Sequence, residues 1–174
     1  MGHTLIACFD KEQFQPVLDI LARYPSVNKI PFGRGFDREE ANRILPFHMT
    51  MFHWGKEMDG EMLMKTERIT FQESEVYATG IRSMDAREGS SLLYLGVSLG
   101  KGYLAWERQL EQSLGTKHSS FRHVTLSVSK NHNEILSLKQ HLAMQLIFPM
   151  PLRICGMELY HIWQPVYFVK AWQK

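Results

Sequence analysis

The chain has 174 residues, of which 44% are hydrophobic and 22% charged. The 10 Phe, 6 Tyr and 4 Trp exclude a disordered chain, and a formal net charge of +2 does not favour a protein that coats nucleic acid. No run approaches the roughly 20 apolar residues of a membrane-spanning helix, and the first ten residues lack a signal pattern. We expect one globular domain over residues 1–174, cytoplasmic and without membrane contact, with Cys8 and Cys155 as buried thiols.

The first third of the chain predicts a strand, a helix and a second strand. Residues 4–9 form a short apolar run typical of a strand, and Asp10 is suited to cap a helix over residues 11–23. The next predictions in chain order are a loop at 24–36, a brief helix at 37–42, a strand at 45–54 and a mixed, Met-rich segment at 55–65.

The later part of the chain repeats this order. Residues 92–99 predict a strand, residues 103–114 a helix that ends at Gly115, and residues 121–129 a further strand. The other predicted elements are strands at 67–71 and 75–81, a polar loop at 83–91, a helix capped by Asn131 or Asn133, and two closing strands within 152–172. The chain therefore carries a coarse internal repeat of strand, helix and strand.

The third element of each repeat contains a His-x-Thr motif. Because successive side chains in a strand point to opposite faces, His48 and Thr50 share one face, about 6.6 Å apart along it, and so do His123 and Thr125. The alternate positions are apolar and predict a face packed in the core. The His/Thr face of both strands must then look into solvent or into a groove.

Two matched motifs are unlikely to arise by accident. Eight His and seven Thr in 174 positions give roughly 0.3 chance occurrences per chain, before any demand for strand context. One neutral imidazole can act as a base and one protonated imidazole as an acid, while Thr hydroxyls donate hydrogen bonds to phosphate oxygens. Such a set suits in-line attack on a phosphodiester without a metal.

The paired motifs at residues 48–51 (HMTM) and 123–126 (HVTL) resemble those of the 2H phosphoesterase superfamily, including its LigT-like 2'-5' RNA ligase and cyclic phosphodiesterase group. The 75-residue separation of the two His, the strand and helix over 92–115 and the closing hairpin fit as well. The resemblance implies an α+β, bilobal fold. Two pseudo-symmetric lobes with antiparallel sheets would flank a central groove, with the helices outside.

The same resemblance implies a metal-independent phosphodiester hydrolase acting on 2',3'-cyclic nucleotides, 2'-5' linkages or RNA termini. One of His48 and His123 would deprotonate water and the other would protonate the leaving ribose oxygen, with Thr50 and Thr125 holding the phosphate. We expect no cofactor, no metal and no obligate protein partner, and a monomer that binds a nucleotide or an RNA terminus. The alternative is a non-catalytic RNA- or nucleotide-binding module on the same scaffold.

Four further side chains are candidates for contacts with a base or for lining the groove. Phe52 and Ser127 continue the His/Thr faces by simple alternation, and Phe52 could either stack on a base or pack in the core. Tyr160 and Trp163, near the closing turn, could likewise contact a base or pack in the core.

Arg122 and His118 precede the second motif. Members of the LigT-like group often have Pro directly before the second His, where this chain has Arg122, which either reaches an RNA phosphate or is solvated at the strand edge. His118 either lines the groove or lies in a surface loop. The spacings from His53 to His48 and from His118 to His123 fall within zinc-finger range. However, an offset of five on a strand predicts opposite faces, and no Cys pair accompanies the His residues.

Overall fold

The computed structural model of the chain describes residues 2–27, 47–162 and 167–173. These ranges contain seven strands, β1 Gly2–Phe9, β2 His48–Trp54, β3 Ser74–Asp85, β4 Ser91–Leu99, β5 His123–Ser129, β6 Met150–Ile162 and β7 Tyr167–Gln173. They also contain the helices α1 Gln15–Leu21, α2 Gly60–Glu67, α3 Lys101–Leu114 and α4 His132–Gln145, with 3-10 turns at Lys11–Phe14 and Arg87–Gly89. Among the helices so described, none has the length and apolar character needed to cross a membrane.

All the strand pairings are antiparallel, and the strand order is β1-β2-β5-β4-β3-β6-β7. Strand β6 is long enough to pair twice: its first residues pair with β3, and the remainder pairs with β1 and β7. Strands β1 to β6 therefore pair in a ring. The ring consists of two half-sheets, β2-β1-β6 and β5-β4-β3, that meet at two places, where β2 pairs with β5 and where β3 pairs with β6.

The predicted internal repeat is confirmed in the order of the elements and in the strand register. In the first repeat, β1 and β2 pair through Cys8 with His48 and Ile6 with Thr50. In the second, β4 and β5 pair through Gly96 with His123 and Tyr94 with Thr125. Each pairing then skips one residue of the motif strand, Met51 in β2 and Leu126 in β5, which marks a β-bulge at the equivalent position.

The core lies beneath the apolar faces of the strands and is closed by the helices. All eight residues of β1 are buried, and the apolar positions of the motif strands, Met49, Met51, Val124 and Leu126, are fully buried. Helix α4 packs against β3, β4 and β5. Its buried face consists of Ile135, Leu138 and Leu142, and that of α3 includes Tyr103, Trp106, Leu110 and Leu114.

Local sequence signals explain where several helices begin and end. The Asp10 carboxylate accepts a hydrogen bond from the Glu12 amide at 3.1 Å and caps the 3-10 turn at Lys11–Phe14. The regular helix α1 then begins at Gln15 with Pro16 in its first turn, the position at which the sequence favours the start of the regular part of the helix predicted over 11–23. The Asn131 side chain caps α4 by accepting from the Glu134 amide at 3.2 Å. Helix α3 ends at Gly115, whose φ of 64° is left-handed.

Two predicted elements are wrong. A strand at 67–71 is absent, because α2 continues to Glu67 and the residues up to 73 are irregular. The segment 83–91 is only partly loop, because β3 extends to Asp85, which pairs with Ser91 of β4 and leaves a short turn between them. The predicted brief helix at 37–42 and the start of the predicted strand at 45–54 lie outside the described residues.

Candidate active site

The two motif strands meet near their first residues, at the centres of the two motifs. Strand β2 pairs with β5 through Met49 and Val124, the middle residues of the two His-x-Thr motifs. In this antiparallel register His48 comes opposite Thr125 and Thr50 opposite His123, with opposite Cβ atoms about 4.5–5.5 Å apart. The two His residues are then diagonal neighbours. Their separation of roughly 7–8 Å leaves room for one phosphate between the rings.

The faces of the two strands divide as their sequences predict. His48, Thr50, His123 and Thr125 are all half-buried, whereas the residues between and after them are fully buried. The four motif side chains therefore share the partly open face of the sheet. A pseudo-two-fold axis through the Met49 and Val124 pair relates one His and Thr to the other.

The bulges change which residues continue this face. Phe52 pairs with Leu5 and Ser127 with Leu93, so both lie on the core side, and both are fully buried. The ring of Phe52 lies 5.9 Å from that of Trp54. Simple alternation is therefore misleading beyond Thr50 and Thr125: the structure does not bring Phe52 or Ser127 to the open face.

The same bulge returns His53 to the open face. His53 pairs with Thr4, and Thr50 pairs with Ile6. Thr4 and Ile6 are two residues apart in β1 and share a face, so His53 lies on the same face as Thr50 and His48. The prediction that His53 and His48 lie on opposite faces is therefore wrong. The hydroxyl of Thr4 and Nδ1 of His53 lie 2.9 Å apart. In the part of the chain that the structure describes, no three His, Cys, Asp or Glu side chains are grouped as ligands of one metal ion.

His123 has a defined orientation and an apolar surrounding. Its Nδ1 lies 3.3 Å from the Phe121 carbonyl, which can accept a proton from the ring. Phe121 stacks on the imidazole with centroids 4.0 Å apart, and Tyr94 meets it edge-on at 5.6 Å. Burial lowers the pKa of His123 below its ordinary value, and the Phe121 carbonyl opposes this only in part. The lowered pKa favours the neutral imidazole. When Nδ1 carries the proton and donates it to the Phe121 carbonyl, Nε2 is the nitrogen that can accept a proton.

Arg122 and His118 face helix α3 instead of the groove. Arg122 Nη1 lies 2.6 Å from Oε2 of Glu107 and donates to the Tyr103 hydroxyl at 3.2 Å. The Arg122 and Glu107 side chains are 7% and 3% exposed, so neither a solvated Arg122 nor one that reaches substrate is compatible with the structure. His118 contacts Glu111 through Nδ1, and its amide donates to the same carboxylate at 3.0 Å.

The remaining predicted contacts cannot be placed. Tyr160 belongs to β6 and pairs through its backbone with Thr4 and Phe168, but its side chain lies outside the described part of the structure. Trp163 lies outside the described residues altogether. Both stay predictions from the sequence.

Three residues of the open face were missed by the sequence reasoning. Tyr94 and Phe121 surround His123, and Phe121 is 43% exposed. Arg82 is exposed on β3, where it pairs with Tyr94. The alternation of side chains along 92–96 indicates that Tyr94 and Leu93 lie on opposite faces of the strand. Arg82 could not be found in this way, because the sequence predicts that the strand ends at residue 81.

Comparison of sequences alone gives no match, either to a model of a protein family or to a curated protein. Comparison of structures shows a similar fold over nearly the whole chain. Usb1 from Kluyveromyces marxianus matches with a TM-score of 0.52 and 14% identity, over 96% of both chains. LigT from E. coli in complex with NADP+ matches with a TM-score of 0.55 and 11% identity, over 99% of this chain and 96% of LigT.

Two related structures carry other ligands. LigT in complex with ATP matches with a TM-score of 0.53, and Usb1 with uridine monophosphate with a TM-score of 0.51. The chain thus has an α+β fold similar to that of LigT and Usb1, in agreement with the α+β fold that the resemblance of the paired motifs implies. At this level of identity the similarity establishes the fold alone.

Proposed function

We propose that the protein is a metal-independent phosphodiesterase that hydrolyses 2',3'-cyclic phosphates or related linkages at the end of a nucleotide or RNA chain. The observation that carries the proposal is the pairing of Met49 with Val124, from which the register brings both His-x-Thr motifs together on one partly open face. A phosphate placed at this pairing would have one imidazole and one hydroxyl on each side.

The surroundings of His123 favour the role of general base for it in hydrolysis. Its lowered pKa favours the neutral ring, and an Nδ1–H donated to the Phe121 carbonyl leaves Nε2 as the nitrogen that can accept a proton. Nε2 would remove a proton from water as the water oxygen attacks phosphorus. The bond from phosphorus to one ribose oxygen then breaks, and His48 as the general acid gives its proton to that oxygen.

Thr50 and Thr125 would position the phosphate through their hydroxyls. Because each Thr comes opposite the His of the other strand, a hydroxyl donor would stand beside each imidazole. Donors oriented in advance stabilise the charge that develops on the phosphate oxygens of the transition state. No cofactor takes part in this scheme.

The fold supports a nucleotide as the ligand class. The solved structures of similar fold include complexes with 3'-AMP, with ATP and with uridine monophosphate. The groups expected on the open face, which are hydroxyls, imidazoles and exposed aromatic rings, suit one phosphate with an adjacent base. They do not require the strongly basic surface that a long duplex would need.

The test is hydrolysis of a substrate panel with EDTA present. The panel contains 2',3'-cyclic nucleotides, 2'-5' oligoadenylate, cyclic ADP-ribose phosphate and an oligonucleotide ending in a cyclic phosphate. Turnover of at least one of these in EDTA is the expected result. Binding of the panel without turnover would contradict the hydrolase and support a nucleotide-binding module instead. Activity lost in EDTA and restored by zinc would contradict the metal-independent scheme.

A further inference from the structure

The guanidinium of Arg82 lies over the strand next to His123. In the second half-sheet Gly96 of β4 pairs with His123, and Arg82 of β3 pairs with Tyr94. A Cβ added to Gly96 would lie 3.1 Å from Arg82 Nε and 3.2 Å from Thr79 Oγ1. The missing side chain at Gly96 thus makes the space that the Arg82 side chain occupies beside His123.

Arg82 differs from the arginines that pair with a carboxylate. Arg122 is buried against Glu107, and Arg153 lies 3.4 Å from Glu73. Arg82 is exposed and forms no ion pair within the described ranges. The charge of its guanidinium is therefore available to an anion.

The position of Arg82 separates it from the phosphate that would be cleaved. That phosphate is expected between β2 and β5, and β4 lies about 4.8 Å beyond β5. The Arg82 side chain is thus on the far side of His123 from His48. Between the two positions lie the rings of Tyr94 and Phe121, which meet at 5.3 Å and could contact a base.

We propose that Arg82 binds a second phosphate of the substrate, adjacent to the one that is cleaved, and so makes the site prefer a dinucleotide or longer RNA end to a mononucleotide. This inference rests on the proposed function, because that function places the cleaved phosphate between His48 and His123. A planar guanidinium can pair with two oxygens of a phosphate, which gives it both affinity and orientation.

The experiment compares ligands with one and two phosphates by titration, so that it does not depend on turnover. The ligands are adenosine 3'-monophosphate and adenylyl-adenosine 3'-phosphate, titrated into the wild type, Arg82→Ala, Arg82→Lys and the control Arg108→Ala. Arg108 is an exposed residue of α3, and both alanine changes remove one surface charge. Because the two residues are exposed, little change in stability is expected.

The wild type should bind the dinucleotide more tightly than the mononucleotide. Arg82→Ala should weaken dinucleotide binding by roughly ten-fold and mononucleotide binding much less, with Arg82→Lys in between. Arg108→Ala should bind both ligands as the wild type does. Equal weakening of both ligands by Arg82→Ala, or no weakening, would overturn the inference. If selective weakening occurs in a protein that hydrolyses no member of the panel, the inference stands and the proposed hydrolase fails.

Discussion

At the scale of single residues, the surroundings of His123 couple its proton to both stability and activity. Burial against Tyr94 and Phe121 lowers the pKa of the imidazole below its ordinary value of 6.5. The unfolded chain therefore takes up this proton at a higher pH than the folded protein does. The resulting contribution to stability is present above pH 6.5 and is lost as the pH falls through the lower pKa of the folded state.

The same shift predicts the acid limb of the pH profile. If neutral His123 is the base, kcat/KM should stay high below pH 6.5 and fall only as the ring becomes protonated at its lowered pKa. Tyr94→Ala should expose the imidazole, raise its pKa and move the acid limb to higher pH. The measurement is kcat/KM against pH for both proteins. An acid limb above pH 6.5 in the wild type, or one unmoved by Tyr94→Ala, would contradict the assignment of the base.

Arg122 directly precedes the second motif in the sequence, yet its side chain has a structural role and does not belong to the candidate site. Its side chain emerges on the face opposite His123, where Glu107 of α3 is buried. Removal of one partner from a buried ion pair leaves an uncompensated charge in the core. The function of Arg122 in the structure is therefore to hold α3 against the start of β5.

Arg122→Ala should lower the free energy of unfolding by about 3–5 kcal/mol, measured by urea denaturation. Glu107→Gln with Arg122→Met should recover much of the loss, since neither charge is then left alone in the core. An Arg122→Ala protein of unchanged stability with weaker nucleotide binding would show instead that Arg122 contacts the substrate.

At the scale of elements, strand patterning predicted the motif faces but not their extent. Alternation over His48 to Thr50 and His123 to Thr125 was sufficient, because three residues of a strand suffice to define two faces. It was wrong for Phe52 and Ser127, since a bulge at the next residue exchanges the faces. A bulge depends on how the neighbouring strand pairs, and one strand's own sequence does not reveal it.

The end of α3 gives a test at this scale. Gly115 has a φ of 64°, and an added Cβ there would meet no atom within 4 Å. Gly115→Ala should therefore lower the free energy of unfolding by about 1 kcal/mol, through backbone strain alone. Gly102, inside α3, has the same open space and no positive φ. Gly102→Ala should therefore be neutral or stabilising. Both values can be read from chemical denaturation, and a Gly115→Ala protein at least as stable as the wild type would contradict this explanation of the helix end.

At the scale of the whole molecule, the antiparallel pairing of β2 with β5 is what joins the two repeats. It brings motifs 75 residues apart in the sequence into one site while each keeps its own half-sheet. The repeat and the apolar patterning predicted the order of the elements, and the resemblance of the paired motifs implied the bilobal fold. The placement of Arg82 beside His123 could not be predicted, because it depends on the side-by-side placement of β3, β4 and β5 and on the absence of a side chain at Gly96.

The most direct test of the central claim is the rate of 2',3'-cyclic nucleotide hydrolysis in EDTA by His48→Ala, His123→Ala and the double variant. His132→Ala serves as the control, because His132 is an exposed residue at the start of α4. Each single change should lower kcat by on the order of 10²–10⁴, and the double change should add little because the two groups act as a unit. The control should retain the wild-type rate. Full activity of the double variant would contradict the account.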